Sequence, residues 1–251
     1  MTMSFDNKND WSIDLETLDN KYSSAILSIG AVQFDRESGE LGCRFYQEIN
    51  IDSAVKSGTV SGSTLEWWMG QGAEAREVFK PGREKMTLAN ALHELATLMR
   101  AKGGGAPRPW GNGASFDITI LEHAYDKGCI GLVPPWQYFN IRDMRTTMDD
   151  ADISLGGLPS VGTAHNALDD AIFQSQCISL ARRRIRRALG FTLPPWAGLP
   201  EFAAHDGAPT KATAPAKVSM PSKPAKVKKA APPPDYDPDI DGPVIEEDDE
   251  L

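Results

Sequence analysis

Cysteine is scarce in this chain. Cys43, Cys129 and Cys177 are the only three; they lie far apart and form no Cys-x-x-Cys pair. Neither a disulfide framework nor a cysteine-bound zinc site is therefore expected. Long apolar runs are also missing: none approaches the ~18 residues that would cross a membrane. Met1 to Asp10 is polar, without the basic and apolar regions of a secretory signal, so a reducing cytoplasm is the expected setting. Positive charge is in deficit, with 26 Lys and Arg against 35 Asp and Glu. That balance argues against a protein that coats an anionic polymer non-specifically. The deficit is uneven, because residues 201–251 carry 11 acids and 6 lysines, or −5 of the net −9.

What remains is the composition of a soluble globular protein, 41% hydrophobic and 24% charged over 251 residues. That length suits one ordinary domain with additional chain. Residues 11–16 alternate apolar and polar side chains, as a strand does. Ala25 to Phe34 and Cys43 to Ile51 read as two further strands, the turn Asp35 to Gly39 joining them as a hairpin. Helices are predicted over Thr64–Phe79 and Met86–Arg100, the second closed by Gly103-Gly104-Gly105. A short buried strand at Pro109–Gly111 and a helix at Ser115–Lys127 follow. Tyr138–Ile141 reads as a strand, followed by a short helix that Asp143 would cap. A long helix is expected from about Thr163 to Leu189. A three-stranded meander followed by alternating helices and strands predicts an α/β layer fold with a mixed five-stranded sheet flanked by helices.

After Gly190 the character changes. The expected division is a polar leader at 1–10, a folded domain at 11–190, a Pro- and Trp-containing extension at 191–202, and a tail at 203–251. The tail is rich in Ala, Pro and Lys, then in Asp and Glu, with too few apolar groups to offset ordering entropy. It is expected to be disordered.

Three polar segments carry the chemistry. In Trp11-Ser-Ile-Asp-Leu-Glu-Thr17, Asp14 and Glu16 project from one strand face, and such carboxylates repel unless a cation lies between them. In Asn112-Gly-Ala-Ser-Phe-Asp117, Asp117 falls in the first turn of a helix. In His165-Asn-Ala-Leu-Asp-Asp170, a regular helix would put the outer residues about 140° apart. Both reach one site only if His165 lies in the loop or first turn, with Thr163 as cap and Ala164 as first helical residue. Asp170 heads a partly apolar line through Phe173, Cys177 and Ala181. Asp169 shares its flank with Gln176, Arg183 and Arg187, which reads as solvent.

Each segment alone has an ordinary reading: an exposed strand face, helix-start chemistry, a surface i,i+4 pair. Together, in this order, they are what holding two Mg²⁺ requires, because Mg²⁺ takes hard oxygen ligands and a metal pair clamps the attacking and leaving oxygens of a phosphodiester.

The chain thereby resembles the DEDDh 3′→5′ exonucleases, the ribonuclease T and proofreading-exonuclease superfamily with a ribonuclease H-like fold. Its pattern is Asp-x-Glu, Asn-x3-Phe/Tyr-Asp and His-x4-Asp, matched here by Asp14 to Glu16, Asn112 to Asp117 and His165 to Asp170 without departure. Asp14 to Thr17, Ile26 to Ala31, Thr64 to Trp68, Pro109 to Asn112 and Arg142 to Thr146 are similar to a phage-type, exonuclease VIII-like branch. The likeness spans residues 11–189.

The resemblance implies that Asp14, Glu16 and Asp170 hold a first metal, Mg²⁺ or Mn²⁺. Asp14 bridges to a second, which Asp117 supports through water. His165 is the implied general base, and histidine as a residue type titrates near neutral pH. The implied reaction releases nucleoside 5′-monophosphates from a single-stranded 3′ end, DNA favoured over RNA on branch alone. A bacterial or phage-infected cytoplasm follows. Thr17, Leu18, Asn112 and Phe116 are the implied substrate contacts, Leu18 as an apolar wedge against the base.

Of Trp67 and Trp68 at most one can stack on a base, adjacent helical positions pointing about 100° apart. Arg182 to Arg187 suits either phosphate contacts or a helix C-terminus. The acidic end suits a basic protein partner. Oligomeric state is open, a dimer included. An exoribonuclease, or a catalytically silent nucleic-acid-binding scaffold, are the rival readings; the scaffold predicts a lost ligand, and none is lost.

Overall fold

The computed structural model describes residues 9–191 except 82–83, 104, 129–130 and 159–161. The expected tail, most of the 191–202 extension, residues 1–8 and Cys129 lie outside the described residues. Strands β1 (Asp10–Thr17), β2 (Ile26–Phe34), β3 (Leu41–Glu48), β4 (Arg108–Gly111) and β5 (Arg142–Asp143) form one sheet of order β3-β2-β1-β4-β5. β1, β2 and β3 pair antiparallel, while β4 runs parallel to β1 and to β5. This mixed five-stranded sheet, covered by helices on both faces, is the expected α/β architecture.

The alternation of β1 decides what each face does. Trp11, Ile13 and Leu15 enter the main core with Leu92 and Leu95 of α3 (Leu88–Lys102) and Ile118 and Leu121 of α4 (Asp117–Gly128). Ser12, Asp14 and Glu16 point to the other face, which the long helix covers. β1 begins at Asp10, inside the expected leader, because that carboxylate takes a bidentate bond from Arg108 and another from the Trp110 indole. Those bonds fasten the start of β1 to β4.

Shorter helices are α1 (Ile51–Ala54), α2 (Gly62–Met69) and α5 (Met144–Asp150), and α6 (Ala167–Ala188) is the long one. Three expectations are corrected. The helix over Thr64–Phe79 is two pieces, α2 ending at Gly70 and a 3₁₀ turn at Ala75–Phe79 following. Tyr138–Asn140 is a 3₁₀ turn rather than a strand, with Arg142 Nη1 bonding the carbonyls of Phe139 and Ile141. α6 is capped by Asn166, whose Oδ1 accepts from Leu168 and Asp169, so Thr163 is not the cap and Ala164 is not helical. The Asp143 cap of α5 stands, accepting from the Thr146 amide at 2.8 Å.

Four arginines of the run have partners within the fold. Arg182 and Arg186 pair with Glu37, and Arg184 pairs with Asp152. Arg183, expected in solvent, is 5% exposed and donates to the Ser38 carbonyl. Cys43 and Cys177 are free thiols. No helix among the described residues is long and apolar enough to cross a membrane.

Candidate active site

α6 reaches the sheet through one glycine. Gly30 lies opposite Asp14 in the β1–β2 ladder, and a Cβ there would sit 2.0 Å from the Ala167 carbonyl oxygen. Hydrogen alone at that position lets the first turn of α6 rest on the strand, which brings Asp170 toward Asp14 and Glu16. Asp117 arrives from the opposite edge, as the first residue of α4 after β4. Its Oδ1 accepts from the Leu15 amide at 3.3 Å, which ties it to the strand between the two carboxylates. Ligand atoms of Glu16, His165 and Asp170 all lie within 4.8 Å of one another.

His165 stands in the turn before α6 with φ 64°. That left-handed conformation is uncommon for a residue with a Cβ and needs a surrounding structure to hold it. Asp170 supplies the hold, accepting the His165 amide at 3.0 Å on Oδ2. Asp169, expected in solvent, instead accepts the Thr163 amide at 2.8 Å. Adjacent aspartates on α6 thus clasp the histidine turn from two sides. The misreading of Asp169 followed from starting the helix three residues too early. Edge-on contacts with Trp67 at 4.9 Å and Trp68 at 6.3 Å pack the imidazole.

Four carboxylates this close cannot all ionise freely. Burial raises Asp14 well above the ordinary range, and Asp117, Glu16 and Asp170 push it the same way. Burial carries Glu16 to about 8, with Asp170 and Asp117 adding to it. Asp117 is raised by burial to about 7, against the Leu15 amide and the Arg145 charge. Asp170 is raised by burial, against the His165 amide and imidazole. The set is a store of unneutralised negative charge built from hard oxygen donors plus one imidazole. A divalent cation of the Mg²⁺ or Mn²⁺ type fits it, because such ions favour carboxylate oxygens and would relieve the repulsion.

The remaining sequence-predicted residues divide. Trp67 is 40% exposed beside His165 while Trp68 is 2% exposed, its indole bonded to the Thr17 carbonyl at 2.9 Å. One tryptophan is thus available and its neighbour is core, as helical geometry requires. Asn112 is half-buried and accepts from Arg145 Nε at 3.1 Å. Phe116 is half-buried against the core. Thr17 is 8% exposed, its hydroxyl bonded to the Asp19 carbonyl. Leu18 is 3% exposed within the main core, not the open wedge expected, because the chain turns inward after β1 to meet Ala25.

Sequence reasoning missed Gln174, whose amide donates to Asp14 at 2.6 Å, and the part Asp143 plays beyond capping α5. The Asp143 Oδ2 accepts from the Ala114 amide at 2.6 Å and so anchors the turn that leads to Asp117. A signal existed for Gln174, four residues beyond Asp170 on one helix.

The chain matches the family model of the 3′-5′ exoribonuclease Rv2179c-like domain over residues 9–181. It belongs to this family. The exonuclease is 25% identical over 214 residues to an exodeoxyribonuclease of Enterobacteria phage T4, covering 72% of this chain and 91% of that relative. Among solved structures it is similar to the nuclease domain of 3′hExo, a DEDDh family member, bound to rAMP. That likeness has 13% identity, spans 74% of this chain and 94% of that one, and gives a TM-score of 0.45. It is also similar to exonuclease X in complex with 5′ overhanging duplex DNA, at 13% identity over 75% and 99% of the two chains, TM-score 0.38. The protein is a 3′→5′ exonuclease, a hydrolase acting on nucleic acid.

Proposed function

We propose that this exonuclease removes nucleotides from the 3′ end of single-stranded nucleic acid with two divalent cations, releasing nucleoside 5′-monophosphates. The observation that carries the reading is the convergence of Glu16, His165 and Asp170 within 4.8 Å, with Asp14 and Asp117 alongside. Asp14, Glu16 and Asp170, with Asp117 through water, would hold the cations. When bound, these supply the positive charge that a phosphodiester needs at its attacking and leaving oxygens.

The chain's own residues do the rest. His165 takes the proton of the attacking water, its turn held by Asp170 so that the imidazole keeps one place. Trp67, 40% exposed beside that imidazole, is the side chain on which the terminal base would stack. Asn112 holds Arg145, an exposed cation near Asp117 that suits a strand phosphate. Phe116 backs the Asp117 turn, and Thr17 closes the end of β1. The catalytic domain ends near residue 190, with a tail beyond it for a basic partner, in the cytoplasm of a bacterial or phage-infected cell.

Deoxyribonucleic strands are the preferred substrate on this reading, which the phage exodeoxyribonuclease relative and the phage-type sequence resemblance support. RNA is the second reading, favoured by the family's description as an exoribonuclease domain. Matched 5′-labelled DNA and RNA strands, each with Mg²⁺, Mn²⁺ or EDTA, test both. A metal-dependent ladder shortening from the 3′ end is expected, faster on DNA. A faster RNA ladder would transfer the assignment to RNA, and no ladder on either would end the single-strand reading.

A further inference from the structure

The helix that delivers Asp170 carries a second polar side chain one turn further on. Gln174 is 3% exposed, and a spacing of four residues puts it on the same side of α6. Its Nε2 donates to Asp14 Oδ1 at 2.6 Å, and among the described residues it is the one side chain that donates to this carboxylate. The other groups facing Asp14 are Asp117, Glu16 and Asp170, all of which repel it.

The far end of the amide is costly. Gln174 Oε1 is buried with no hydrogen-bond partner among the described residues. Its helix neighbours on the buried side are Ala171, Ile172, Ser175 and Ile178. An apolar side chain of similar length would fill this place without stranding an acceptor, so packing does not account for the glutamine. The bond to Asp14 does. A neutral donor also fixes the carboxylate without bringing the charge that a cation is to bring. A lysine or arginine here would neutralise Asp14 and compete for it.

We propose that Gln174 is the positioning residue for Asp14: its amide pins one carboxylate oxygen and keeps Asp14 facing Glu16, Asp117 and Asp170, so that a divalent cation meets a preformed site. The inference rests on the metal reading above. Without the amide, three neighbouring carboxylates would drive Asp14 out of the site, and binding a cation would first have to reverse that.

The test uses the full chain as wild type, Gln174→Met and Gln174→Leu, melted across a Mn²⁺ titration, with cleavage of a labelled single strand measured on the same samples. Both variants are expected to melt cooperatively without metal, at or above the wild-type temperature, since the stranded oxygen is gone. The Mn²⁺ concentration that gives half the stabilisation should rise tenfold or more. kcat should fall at limiting Mn²⁺ and recover at saturating Mn²⁺, with KM for the strand unchanged. A wild-type Mn²⁺ midpoint in a folded variant would overturn the assignment. So would loss of the cooperative melt in both variants, which would make Gln174 a packing residue. Absence of any Mn²⁺ shift in the wild type would instead sink the metal reading, and this inference with it.

Discussion

His165 keeps a left-handed backbone at φ 64° because Asp170 and Asp169 grip its turn, so its imidazole is held by more than its own rotamer. Removing the imidazole should remove proton transfer and little else. His165→Ala is expected to lower kcat about 10²–10⁴-fold, the usual span for a lost general base, while leaving the Mn²⁺-induced rise in melting temperature near wild type. Steady-state rates beside melts check this, and a variant cleaving at the wild-type rate would exclude His165 as the base. Asp14, Glu16, Asp117, His165 and Asp170 could be singled out in the sequence because they fall, in a fixed order, on one strand, at one helix start and around the turn into another helix. Gln174 was passed over although it stands four residues beyond Asp170, since a glutamine inside an amphipathic helix reads as ordinary until β1 lies across α6. Leu18 was misplaced because sequence order beside a metal strand says nothing of which way the next residue turns.

At the scale of elements, the site depends on how closely α6 approaches β1 and β2. Gly30→Ala would place a methyl against the Ala167 carbonyl, and backbone on both sides gives that contact no flexible partner. A loss of about 1–3 kcal/mol or more is expected from such overpacking, with reduced activity as Asp170 moves away from Glu16. Denaturant melts and cleavage rates read the two effects, and a wild-type melt would contradict the close approach. Asp143→Ala should cost about 0.5–2 kcal/mol through the lost cap of α5. It should also slow cleavage by loosening the Ala114 turn ahead of Asp117. The strong strands β1, β2 and β3 were legible from alternation and hairpin turns. β5 was not, because two residues of parallel pairing carry no periodicity, and the aromatic run before it reads as strand although Arg142 folds it into a turn.

Across the whole molecule, the buried carboxylates make the metal-free protein sensitive to pH. Glu16 near 8 and Asp117 near 7 are raised above ordinary carboxylate values near 4. Raised folded pKa values mean that the folded state binds more protons than the unfolded chain between those limits. Stability from these groups is therefore present below about pH 4 and is lost as pH rises through about 7 to 8. The metal-free melting temperature should decline over that window, and the stabilisation by added Mn²⁺ should grow. Asp14→Ala should flatten the decline and raise the metal-free melt, each kcal/mol of relieved repulsion being worth about 2–4 °C in a domain of this size. A metal-free melt independent of pH between 5 and 8 would contradict the crowding.

On the proposed reading, part of the chain's acidic balance lies at the site, where cations would neutralise it. Isothermal titration of the metal-free protein with Mn²⁺, beside Asp14→Ala, tests this most directly. A stoichiometry of two is expected for the wild type, with the loss of at least one ion in the variant and the variant still folded. Equal binding in both proteins, or none in the wild type, would contradict it.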